Sequence, residues 1–121
     1  MEAVISKPFT FQVLFVDFMN NPVAVDNPTI SIFTFSLAGV KQVLVAAAMN
    51  PAAPVEVGRY TYTYTIPASF TDGDSLYGEM TGEEPGSGVL SRVEQPLTLI
   101  SANRGSGGGY TGLIARFVKG G

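Results

Sequence analysis

The stretch "GRYTYTYTIP", residues 58–67, sets Tyr60, Tyr62, Tyr64 and Ile66 in strict alternation with Thr61, Thr63 and Thr65. Aromatic and β-branched side chains at a period of two fit a pleated strand with one buried face and one wet face. The rings could instead form an exposed platform for sugars or bases. Aromatics alternating with threonine fit better as the inward face of a sandwich, with the threonines outside.

Toward the N-terminus the same period recurs. "FTFQVLFVDF", residues 9–18, places Phe9, Phe11, Val13 and Phe15 on one face. "MNNPVAVDNP" supplies Asn and Pro turn chemistry before a second run, "TISIFTF", residues 29–35. A third run, "VKQVLVAAAM", carries three alanines, but Val40, Val43, Val45 and the Asn50-Pro51 stop favour a strand over a helix. Toward the C-terminus, "ASFTDGDS" is a turn centred on Asp72-Gly73. It leads into "LYGEMTG", the loop "EEPGSG" and "VLSRVEQPLTLI", where Pro96 demands an edge position or a bulge. Six or seven short strands at this spacing predict an all-β, two-sheet antiparallel sandwich.

Composition narrows the function. One 121-residue chain suffices for a single core, and with 45% hydrophobic and 14% charged residues it is globular with little charge to keep a bare surface soluble. Part of that surface is expected to lie under a partner. Cysteine and histidine are absent, which removes thiolate chemistry, zinc-thiolate sites and the usual general base near neutral pH. No enzyme activity and no cofactor are expected. Adjacent Glu83 and Glu84 on "GEEPGSG" read as a solvated loop tip rather than an acid and base pair. Asp72 and Asp74, with Glu79 and Asp26, offer oxygens to calcium, but the loop lacks the ligand ladder with its closing Glu, so an Asp-Gly turn is the simpler reading. "GSGGG" lacks the Gly-Lys-Ser/Thr of a phosphate loop. An N-terminus with Glu2 and no basic region is not a secretory signal, and the longest apolar run, Val43 to Met49, is far short of the roughly 20 residues that span a bilayer. No membrane partner is expected.

Beyond Ile100 the chain changes character. Seven of the fourteen glycines follow residue 100, and Gly105, Gly107, Gly108 and Gly109 form a hinge without a preferred shape. "YTGLIARFV", Tyr110 to Val118, then regains strand character, with Leu113, Ala115 and Phe117 on one face and Ile114, Arg116 and Val118 on the other. Residues 1–100 hold four cations against ten acids, −6 in side-chain charge, whereas the tail holds Arg104, Arg116 and Lys119 and no acid, +3. A basic, hinged strand on an acidic body suits docking to an acidic surface. The same balance argues against nucleic acid, whose phosphates need clustered Lys and Arg. The chain divides into an N-terminal arm (1–7), a sandwich (8–100) and a hinged C-terminal arm (101–121). The strand of the last segment either adds to a sheet edge of a neighbouring subunit or folds back onto its own sandwich.

"VGRYTYTYTIPASFTDGDSLYGEMTG", taken with "VLFVDFMNNPVAVDNPTISIF", resembles the small immunoglobulin-like β-sandwich modules of bacterial and bacteriophage surface proteins. Those modules share a "G-x-Y-x-Y" strand running into an "IPA" turn and an earlier "D-x-x-x-N-P-V" turn. The resemblance covers residues 8 to 100 and describes a scaffold, so it brings no catalytic residues. A free-standing module with a strand arm is most similar to capsid decoration, or cement, proteins of phage virions. The resemblance implies a virion protein made in the host cytoplasm, oligomeric with a trimer favoured, and bound to the major capsid protein or another virion protein. The alternative it implies is a tail-associated or adhesin-like module that recognises a host surface glycan.

Overall fold

The computed structural model describes residues 1–52, 54–101 and 113–117. In chain order the strands are β1 (Glu2–Val4), β2 (Pro8–Val16), β3 (Asp26–Phe35), β4 (Lys41–Ala48), β5 (Asn50–Pro51), β6 (Arg59–Thr65), β7 (Ser75–Glu83), β8 (Leu90–Ile100) and β9 (Leu113–Arg116). No helix occurs among the described residues. One sheet has the order β1-β8-β7-β3-β4 and the other β5-β6-β2-β9.

The expected inward faces meet between the sheets. Phe9, Phe11, Val13 and Phe15 of β2 are buried, and their register partners on β6 are Tyr64, Tyr62 and Tyr60 for the first three. Tyr60 is therefore core, and Tyr62 and Tyr64 are half-buried and packed against it. On the wet face of the same pair, the Thr10 and Thr63 hydroxyls share a 2.9 Å hydrogen bond. Opposite them β7 turns Leu76, Gly78, Met80 and Gly82 inward. A Cβ on Gly78 would lie 2.4 Å from the Phe11 ring, so the missing side chain is the space into which that ring packs. Gly58, at φ +83°, lets the turn before β6 pass the Phe15 backbone, whose N–H donates to the Gly58 carbonyl at 2.8 Å.

Pro96 occupies the position its chemistry requires. The Leu99 N–H points to β7, donating to the Asp74 carbonyl, while the Thr98 N–H points the other way, to Met1. Alternation then turns residue 96 away from β7, and β1 reaches only Thr98 to Ile100, so the missing donor faces an open edge.

The sandwich is not purely antiparallel. β1 runs parallel to β8 and β9 runs parallel to β2, which makes both sheets mixed. Antiparallel pairing is enforced where a tight turn joins neighbours, and these two pairs join opposite ends of the chain, so no hairpin dictates their direction. Residues 1–7, read from the sequence as an arm, hold β1 and bury Ala3, Val4 and Ile5 against the body.

Candidate functional site

The sequence directs attention to the C-terminal strand, and the structure seats it in a slot of its own chain. Leu113, Ile114, Ala115 and Arg116 pair with Val13, Leu14, Phe15 and Val16. The alternation is as expected: Ala115 and Phe117 are buried and Leu113 is half-buried, while Ile114 and Arg116 are exposed. Phe117 is the anchor, 1% exposed, with its ring centroid 6.1 Å from that of Phe15 and its N–H donating to the Val16 carbonyl at 2.9 Å. On the far side, the Ser91 hydroxyl of β8 donates to the Arg116 carbonyl at 3.0 Å. β9 thus closes the seam between the sheets along the upper part of β2, as β1 closes it along the end of β8. Within a single chain the strand folds back at home. Tyr110, Val118 and the hinge glycines Gly105, Gly107, Gly108 and Gly109 lie outside the described residues.

The acids weighed as calcium ligands are dispersed. Asp72 accepts from the Ser101 N–H at 2.9 Å, and Asp74 closes its turn by accepting from the Thr71 N–H and hydroxyl. Glu79 faces Arg92 at 3.6 Å on the outer face, and Asp26 lies at the far end of β3. Among the described residues no three acids gather as a metal site. Glu83 accepts from the Asn27 side chain, and Glu84 accepts from the Ser87 hydroxyl within its loop. Two ionisable groups are shifted. Asp17 is held below its ordinary value chiefly by the Asn21 N–H, with help from Met19, and burial, then the neighbouring Tyr62, pushes the Tyr64 hydroxyl up.

Two surface features escape a reading of periodicity alone. The first is β4. It ends its sheet, and Val43 and Leu44 on it, with Phe35, Leu37 and Val40 beside it, are exposed apolar side chains. The second is an aromatic cluster on the outer face of the same sheet. Phe33 stacks on Tyr77 at 5.4 Å, Phe35 meets both rings edge-on, and the Lys41 ammonium sits 4.1 Å from the Phe33 centroid. The sequence signal for both is the adjacent pair Ile32-Phe33, where the apolar period changes face. There the ladder between β3 and β4 shifts register, with Ile32 opposite Val45 and Phe33 opposite Val43, so Leu44 is the extra residue of a bulge.

No family model, curated protein or solved structure matches this chain.

Proposed function

We propose that this chain is a structural component of a bacteriophage virion, a capsid decoration protein on an immunoglobulin-like sandwich, which holds neighbouring shell subunits through its terminal strand. Topology supports the scaffold. In chain order β2 to β8 divide into β4-β3-β7-β8 and β5-β6-β2, which is the partition of strands C′, C, F, G and D, E, B in an immunoglobulin-type sandwich. In such sandwiches strand A lies beside strand B, and here β9 from the opposite end of the chain holds that place. A strand from the C-terminus completing the sheet is the observation that carries the reading.

The slot makes backbone hydrogen bonds with β9 and swallows Phe117, and it would make the same contacts with β9 of a neighbour. Exchange between home and neighbour therefore changes few contacts, and is governed by local concentration and tether length. In a shell, where subunits are crowded and ordered, the balance tips toward the neighbour. Light scattering on the full chain and on a chain ending at Ala102 tests this. A defined oligomer, a trimer above all, whose β9-dependent association is lost on truncation is the expected result. An unchanged particle mass in both would remove the strand from assembly.

A glycan-binding module is the second reading, favoured by a groove of about 530 Å³ in which Phe35 and Tyr77 lie beside Thr34, Gln42, Asp74 and Ser75. Rings next to hydroxyl, amide and carboxylate groups are a sugar-binding composition. Binding on a glycan array that Tyr77→Ala abolishes would support it over the virion reading.

A further inference from the structure

Sheets end at edges, and an edge that stays in water is normally short, charged, broken by proline or covered. The other edges of this sandwich follow that rule among the described residues, and β1 is only three residues long. β8 carries Pro96 where β1 leaves it open, β5 is two residues long and ends on Pro51, and β9 is short and carries Arg116. β4 does not. After Lys41 its residues are Gln-Val-Leu-Val-Ala-Ala-Ala, with no proline and no charge. The bulge at Leu44 blunts the first half, and Val45 to Ala48 run regularly against β3 beyond it. The Met49 N–H bonds inward to the Pro28 carbonyl, so alternation turns the N–H and C=O groups of Ala46 and Ala48 to the open side.

We infer that β4 is the interface to a second copy of this chain, paired antiparallel with its own counterpart about a two-fold axis. This goes beyond the virion reading and does not depend on it. Two complementarities on the outer face point to a copy rather than another partner. Side chains along β4 run from large to small: Lys41 and Val43, then Ala46 and Ala48, opposite Phe35, Phe33, Ser31 and Thr29 of β3. The small end is a trough of about 480 Å³ floored by Thr29, Ser31, Ala46, Ala48, Glu79 and Thr81. An antiparallel two-fold reverses the strand, so the bulky end of each copy is laid against the trough of the other. Charge follows the same reversal. Lys41 stands at the bulky end, while Asp26, Glu79 and Glu83 lie on β3 and β7 toward the other end, so each Lys41 approaches the partner's acids rather than its Lys41. A two-fold contact is closed, which gives a dimer and not a fibre.

The test is sedimentation velocity on the full chain across a concentration series. A concentration-dependent step that doubles the mass of the 12.8 kDa chain, or of the particle that β9 exchange forms from it, is expected. Val43→Glu brings an acid against the partner's trough, which Glu79 lines, and Ala46→Pro removes an outward donor while sparing the inward ladder to β3. Each should raise the dimer dissociation constant roughly tenfold or more, while the circular dichroism of the folded monomer is retained. Phe117→Ala, at the other end of the molecule, should leave the dimer intact, which separates this interface from exchange of β9. Because the chain has no cysteine, Val43→Cys combined with Ala46→Cys supplies a clean reporter, since each of these positions is laid against the other in the partner, and the pair should oxidise to a covalent dimer. A chain that stays monomeric throughout, or a dimer indifferent to Val43→Glu and Ala46→Pro, would overturn the assignment.

Discussion

Removing the ring of Phe117 isolates what the C-terminal strand contributes. That ring is 1% exposed, packs on Phe15, itself fully buried, and follows directly on β9. Truncating a buried phenylalanine to alanine destabilises by about 3–5 kcal/mol when the site cannot collapse. Collapse is limited here because Phe15 and Val13 are fixed in β2 between β6 and β9. For a chain of this length each kcal/mol moves the melting temperature by roughly 3–5 °C, so Phe117→Ala should lower it by about 10–20 °C. Undocking of β9 caps the loss, and the chain ending at Ala102 should therefore melt no higher than Phe117→Ala. Ile114→Ala, on the exposed face of the same strand, should change stability by less than about 0.5 kcal/mol. Calorimetry at two protein concentrations reads both the size of the effect and its molecularity, since a strand docked at home leaves the concentration dependence of the melting temperature the same with and without β9. A drop below about 3 °C for Phe117→Ala would refute the account of Phe117 as the plug of the seam.

Three further outcomes follow from the geometry. Gly78→Ala forces a methyl group into the space of the Phe11 ring and should cost about 1–3 kcal/mol in denaturant unfolding, whereas Gly86→Ala, with open space around it, should lose only the strain of its left-handed φ. Tyr60→Phe removes the hydroxyl that accepts from the buried Val25 N–H at 3.1 Å, and the orphaned donor should cost about 1–3 kcal/mol in the same assay, with Tyr64→Phe as the milder comparison. The Asp17 carboxylate accepts from the N–H groups of Asn21 and Met19 and is held below its ordinary value, so the turn it organises is fully formed above that value and loosens as pH falls through the lowered one. The Met19 and Asn21 amide resonances should therefore titrate together with a midpoint below that of an unperturbed aspartate, and a midpoint at or above it would contradict the bonding.

Much of this molecule is written locally. The alternation of Phe9 to Phe15 and of Tyr60 to Ile66 fixed which side chains face the core, and the single residue Pro96 marked an edge, because side-chain direction along a strand and a missing N–H are properties of the backbone at that point. The inward face of Leu113, Ala115 and Phe117 was legible for the same reason. Pairing was not. That β1 and β9 run parallel to their neighbours, that β9 completes the sheet beside β2 in its own chain, and that β4 ends its sheet among the described residues all depend on contacts between residues far apart in sequence. An edge strand and a central strand carry the same period of two, and only the packed sandwich decides which of them has a neighbour on both sides.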